Sequence, residues 1–116
     1  MVSKKLFHKN SFLAKLKVYS SILALAKGLM FSSPLKKGEG IVLASKKENL
    51  SSIHMLFVFF PIDAVWMDKN KKISFIKRNI KPFTPLVTPP KFSQFIVELP
   101  ANSTKKLKVN DKLVLK

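Results

Sequence analysis

The sequence predicts a mainly β (α+β) fold: a compact single domain, β-barrel-like or sandwich-like, of about six or seven short strands with one short helix near residues 20–28. Three observations carry this prediction. Segments such as FLAKLKV (12–18) alternate apolar with polar residues, which is the period of a half-buried strand. Polar, glycine- or proline-bearing turns separate such segments at short intervals. With 116 residues, 47% hydrophobic and including 10 Phe, the chain can fill one core, and two independent cores would be hard to fill at this length.

The elements follow in chain order. Residues 1–11 read as an N-terminal extension or edge segment, and 12–116 as the single β-rich domain. In the first strand Phe12, Ala14, Leu16 and Val18 share one parity, while Leu13, Lys15 and Lys17 share the other. YSSILALAKG (19–28) changes period: Ile22, Leu25, Ala26 and Leu29 recur at helical spacing. Ser20 or Ser21 supplies the N-cap and Gly28 the C-terminal stop. SSPLKKGEG (32–40) reads as a loop, IVLAS (41–45) as a strand and KKENLSS (46–52) as a turn or loop. IHMLFVFF (53–60) and IDAVWM (62–67) read as two β-rich apolar core strands split by Pro61. DKNKK (68–72) is a tight polar turn, and KISFIKR (72–78) returns, making 62–78 a hairpin.

IKPFTPLVTPPK (80–91) holds four of the seven prolines. Proline denies a ladder its donor, so this segment reads as an extended loop. QFIVELP (94–100) alternates with Phe95, Val97 and Leu99 inward and Gln94 and Glu98 outward, Ile96 being the exception. A helical turn and a turn at Asn110-Asp111 then lead to LVLK, the last strand.

The net charge is +16, from 22 basic and 6 acidic residues. Such a charge attracts polyanions, so nucleic acid or an anionic membrane surface, approached through the lysines, is one partner class. The other reading is a lysine-heavy composition with no partner attached: Arg78 is the single arginine, and arginine is favoured where phosphates and bases are gripped bidentately. The chain has no cysteine, which excludes disulfides, thiolate nucleophiles and cysteine zinc sites. Residues 18–26, ending in Ala24-Leu25-Ala26, have a signal-like form, but Lys15 and Lys17 interrupt the apolar stretch. A cytoplasmic protein without a cleaved signal peptide is therefore expected. No apolar run reaches the ~18 residues that a transmembrane helix requires.

Several short motifs also fall into line. AKGLM (26–30), GEGIVL (38–43), PID followed by VWMD (61–68), VELPA (97–101) and VNDKLV (109–114) occur in that order. This set resembles the domain of unknown function 192, a family of small proteins found in bacteria and archaea. Gly28, Leu29 and Met30 match its GLM element, with Lys27 where arginine is usual. Gly38, Glu39 and Gly40 match GEG; Met55, Pro61, Asp63 and Asp68 match the central motif; Glu98, Leu99, Pro100 and Ala101 match ELPA; Asp111 matches the final aspartate. His54 stands where the bacterial form has tryptophan and looks like the histidine of archaeal relatives. Leu56 and Phe57 replace a lysine and an asparagine. Asn102 and Asn110 replace glycines, and asparagine also accepts left-handed backbone. The resemblance implies a compact, mainly β domain and names no activity.

Candidate chemistry is sparse. No catalytic residue, metal site or cofactor is assigned: nucleophile, P-loop and dinucleotide motifs are missing, and the acidic residues and His8 lie at no recognised metal-ligand spacing. His54 and Asp63 flank Pro61, so a bend there could pair them around a proton or a ligand; the alternative is a structural histidine bonded to a carboxylate or to backbone. His54, Asp63, Met55 and Glu39 form the candidate ligand-binding set. Gly28, Gly38, Gly40, Pro61, Asp68, Glu98, Pro100 and Asp111 form the structural motif. Phe57, Phe59 and Phe60 read as core, although phenylalanines beside lysines also suit single-strand stacking. A non-enzymatic ligand- or partner-binding module is the leading reading. Lysine-driven nucleic-acid binding and a metal- or His/Asp-dependent enzyme are the alternatives.

Overall fold

The computed structural model describes residues 2–116, with the side chains of residues 22 and 23 excepted. The apolar spacing assigned to Ile22 lies outside the described side chains. The chain runs β1 (Ser3–His8), β2 (Ser11–Tyr19), α1 (Ile22–Lys27), β3 (Glu39–Asn49), β4 (Ile62–Met67), β5 (Ile73–Ile80), β6 (Ser93–Pro100) and β7 (Leu113–Leu115). The strands form one sheet in the order β5-β4-β6-β3-β2-β1-β7. The stretch 1–11 thus contributes β1, which lies between β2 and the short β7.

All neighbours are antiparallel except β2 and β3, which run parallel. A parallel pair needs a crossover rather than a tight hairpin, and α1 with the following loop supplies it. Ser21 caps the helix, its hydroxyl accepting from the Ala24 N–H at 3.1 Å, and Gly28 ends it at φ 48°. That backbone conformation is open to glycine and closed to most side chains.

The sheet curls until its ends meet. The Ile73 N–H donates to the Asp111 carbonyl at 2.8 Å, the Leu113 N–H donates to the Lys71 carbonyl at 3.0 Å, and Lys72 bridges Lys112. Curling gives the sheet an inner and an outer face, and successive residues of a strand alternate between them. The inner face buries Leu6, Leu16, Val42, Val65, Met67, Ile73, Val97, Leu99 and Leu113, contributed by all seven strands. The outer face of β3, β4 and β6 buries Ile41, Leu43, Ile62, Ala64, Trp66 and Ile96 beneath Leu25, Leu29, Ile53, Met55, Val58 and Phe60. The core material is therefore divided into two layers that share one sheet.

The hairpin 62–78 forms as expected, closed by Asp68, whose Oδ1 accepts from the Asn70 and Lys72 N–H groups at 2.8 and 3.1 Å. Asn102 and Asn110 take φ values of 71° and 79°, the left-handed conformation for which asparagine can substitute for glycine.

Three sequence expectations are corrected. Residues 46–49, expected in a turn or loop, extend β3, and Asn49 pairs with Ser93 beyond an irregularity in the ladder. Residues 53–60 are not a strand. The Met55 carbonyl accepts from both the Val58 and the Phe83 N–H groups, and Phe57 turns to φ 58°, so the backbone folds into turns and pairs with a neighbour only through the single antiparallel bridge of Ile53 to Val87. Phe60 is buried as expected, but Phe57 and Phe59 are 44% and 63% exposed rather than core.

Candidate functional site

The most suggestive polar group lies at the middle of the sheet. On β6, Glu98 pairs with Ile41 of β3 on one side and Ala64 of β4 on the other. Its parity matches Ile96, so it points to the outer face, beneath the crossover. The expectation that Glu98 faces solvent is thereby overturned: it is buried, with 4% exposure. The reason is that β6 has apolar cover on both faces, so neither parity leads to water.

Burial takes the Glu98 carboxyl away from water with no countercharge, and this desolvation pushes its pKa from 4.5 up to about 7. The carboxyl makes no hydrogen bond or ion pair among the described residues, and its oxygens are not sealed in the core but open to the neighbouring cavity. It borders a cavity of about 210 Å³ whose wall includes Lys27, Gly28, Ser52 and His54. Gly28 is part of what leaves that space open, since a Cβ there would stand 4.0 Å from Glu98 Oε1. Gly40 is needed for a different reason: a Cβ there would collide with the Glu98 carbonyl oxygen and come within 2.7 Å of Leu99 Cδ2. The close approach of β3 to β6 beside Glu98 thus depends on glycine at that position.

The imidazole of His54 is fixed from both sides. Its Nδ1 accepts from the Leu56 N–H at 3.2 Å, which leaves the ring proton on Nε2 to be donated to the Ala26 carbonyl at 3.3 Å. Ala26 lies in the last turn of α1, where carbonyls lack helical partners. His54 therefore secures the end of the helix and at the same time lines the cavity.

Asp63 stands elsewhere and has other partners. Its parity is that of Val65 and Met67, on the inner face, and it is fully buried. Its Oδ1 accepts from the Asn79 N–H at 2.8 Å. Its Oδ2 accepts from the Ser103 and Thr104 N–H groups at 3.2 and 3.3 Å and from the Thr104 hydroxyl at 2.8 Å. Arg78 holds the same loop from outside, donating to the Thr104 and Leu107 carbonyls at 2.9 and 2.7 Å. The pairing of His54 with Asp63 considered from the sequence is not formed.

The remaining candidates are also dispersed. Met55 is a core side chain of the outer layer. Glu39 is exposed, accepts from the Lys36 N–H at 3.3 Å and borders a separate groove of about 550 Å³ with Lys15, Lys17 and Lys36. Asp111 accepts from the Lys108 N–H at 3.0 Å and lies 3.1 Å from His8 Nε2. Pro61 is exposed, while Gly38 takes φ 80° in the turn before β3 and Pro100 ends β6. Among the described residues no three His, Asp or Glu side chains converge as a metal would require. Of the residues singled out in the sequence, the structure brings together His54, Gly28 and Glu98.

The family model for DUF192, described as uncharacterized ACR, matches residues 6–115. The chain belongs to the DUF192 family. A curated relative, UPF0127 protein TK1120 of Thermococcus kodakarensis, is 30% identical over 97 residues, covering 84% of this chain. The chain spans 60% of that relative's length. Two crystal structures share the fold seen here. One, from Sinorhizobium meliloti 1021, is described as a "putative transcription regulator"; it has a TM-score of 0.88 and 15% identity, over 97% of this chain and 92% of its own. The other, a protein of unknown function from Novosphingobium aromaticivorans, has a TM-score of 0.85 and 17% identity, over 97% of this chain and 84% of its own. At these identities the likeness extends to the fold alone. No helix among the described residues is long and apolar enough to cross a membrane.

Proposed function

We propose that this DUF192 protein is a non-enzymatic binding module whose cavity beside Glu98 takes a small ligand through a cationic or hydrogen-bond-donating group. One observation carries this reading: a buried carboxyl without a protein partner faces an open cavity. An unpaired buried carboxylate is costly, and a ligand donor in the cavity would offset that cost. The volume of about 210 Å³ falls below the ~300 Å³ at which drug-sized ligands begin to fit, so the ligand is a small one. His54, held by backbone on both nitrogens, acts as a rigid wall of the cavity.

The test is amide chemical-shift mapping with methylammonium, guanidinium and acetamide as probes. At least one cationic probe should shift Gly28, Ser52 and His54, more strongly as pH rises through about 7 and Glu98 ionises. Glu98→Gln should abolish the cation response. The reading fails if no probe moves these amides, or if Glu98→Gln responds as the parent does.

A second reading, nucleic-acid binding through the lysines, is favoured by the groove where Lys15, Lys17 and Lys36 converge. Contacts of that kind weaken steeply with salt. No binding of a mixed-sequence oligonucleotide at low salt would remove it.

A further inference from the structure

We propose that the exposed phenylalanines Phe31, Phe57, Phe59 and Phe83 dock the protein onto an anionic phospholipid surface, independently of the cavity beside Glu98. Their exposures are 67%, 44%, 63% and 44%. The rings form one cluster: Phe31 stacks on Phe57 at 4.8 Å, and Phe83 meets Phe57 and Phe59 edge-on at 6.1 and 5.0 Å. The same loops also expose Leu56 and Leu86. Contiguous apolar surface of this kind marks an interaction site on a soluble domain.

The backbone holds the rings outward at a cost. Phe31, Phe57 and Phe83 have φ values of 59°, 58° and 62°, and for bulky side chains the left-handed conformation is an outlier. Backbone hydrogen bonds fix these turns, from the Phe31 N–H to the Phe57 carbonyl at 2.8 Å and from the Phe83 N–H to the Met55 carbonyl at 2.9 Å. Folding alone would be better served here by asparagine or glycine.

Charge selects the occupant. Lys27 and Lys81, both exposed, sit in the turns that lead to Phe31 and Phe83. None of the six acidic residues lies within 27–34, 54–60 or 81–87. A second copy is a poor partner, because each copy carries +16 and offers this patch no countercharge. Single-stranded nucleic acid fits less well than lipid. The rings are packed on one another rather than spaced as separate platforms for bases, and aliphatic Leu56 and Leu86 extend the cluster. Apolar side chains with lysine nearby are the combination that holds a protein at an anionic interface.

The test is co-sedimentation with phosphatidylcholine vesicles made with and without phosphatidylserine. The parent should bind the phosphatidylserine vesicles and show little affinity for phosphatidylcholine alone. Phe57→Asn and Phe83→Asn should each lower binding about tenfold, the loss expected for withdrawing one ring from the apolar phase. Their thermal midpoints should hold or rise, since asparagine suits the left-handed backbone. Phe59→Ser, at a position without positive φ, should lower binding similarly and serves if either Asn variant fails to fold. Absent binding to phosphatidylserine vesicles, or binding unchanged in these variants, overturns the proposal. So does transfer of the same variant effects to a single-stranded oligonucleotide, or to self-association seen in sedimentation velocity.

Discussion

Asp63 accepts the Thr104 hydroxyl at 2.8 Å across 41 residues of chain. With the bonds from Asn79, Ser103 and the Thr104 N–H, this carboxylate ties the start of β4 to the end of β5 and to the loop after β6. Asp63→Ala should therefore cost about 3 kcal/mol, because buried donors lose a charged acceptor. Asp63→Asn should cost a similar amount, since an amide cannot accept on both sides. Urea unfolding measures both. A loss under about 1 kcal/mol, the size of an ordinary surface change, would show that the network is dispensable.

Glu98 should give the protein an acid-favoured component of stability. Its folded pKa of about 7 lies above the ordinary 4.5, so between those values the folded state holds a proton that the unfolded state has released. Stability from this group is then complete below about pH 4.5, falls as pH rises, and levels off above about 7, a change of about 3 kcal/mol in all. Glu98→Gln should remove this component. Subtracting its unfolding free energies from those of the parent across pH isolates it; a flat difference would mean that the carboxyl is solvated.

The two glycines beside Glu98 should respond to alanine for different reasons. Gly40→Ala drives a Cβ into backbone, which cannot step aside as a side-chain tip can, and should cost about 3 kcal/mol or fail to fold. Gly28→Ala meets only ordinary contact but must accept φ 48°, and should cost about 2 kcal/mol. Thermal denaturation should rank Gly40→Ala as the more damaging.

His54→Ala frees the Ala26 carbonyl at the end of α1. The expected loss is about 1 kcal/mol, with faster amide exchange confined to α1 and residues 54–56. Unchanged exchange there would separate the imidazole from the helix.

Local chemistry made much of the fold legible. Alternation marked β2, the polar turn at Asp68 marked the β4–β5 hairpin, and the serine pair Ser20-Ser21 and Gly28 marked both ends of α1. Asn102 and Asn110, which stand where the family resemblance has glycine, keep the left-handed backbone that asparagine also accepts. The misreading of residues 53–60 has a physical source: hydropathy records that a side chain is apolar and not whether anything covers it. IHMLFVFF is apolar except for His54, yet its turns bury Ile53, Met55, Val58 and Phe60 and expose Leu56, Phe57 and Phe59.

Part of the candidate cavity was visible and part was hidden. His54 and Gly28 drew attention as motif positions. Glu98 was placed on the correct face but expected in solvent, because alternation presumes that the outward face is solvated. The signal that could have corrected this was Ile96, the exception in QFIVELP, which announces a strand covered on both sides. The separation of Asp63 from His54 could not be read locally, since it follows from the curl of the whole sheet.

The pairing of β1 with β7 has a kinetic consequence. Leu6, Phe7 and His8 find their second neighbours only in Leu115, Val114 and Leu113, at the far end of the chain. Closing so large a loop is entropically slow. During synthesis β1 and β2 can pair early, but the cylinder cannot close until residues 113–115 have left the ribosome. Until then Leu6 and Leu16 lack their C-terminal cover, and a nascent chain stalled short of Leu113 should be held open and prone to capture by chaperones.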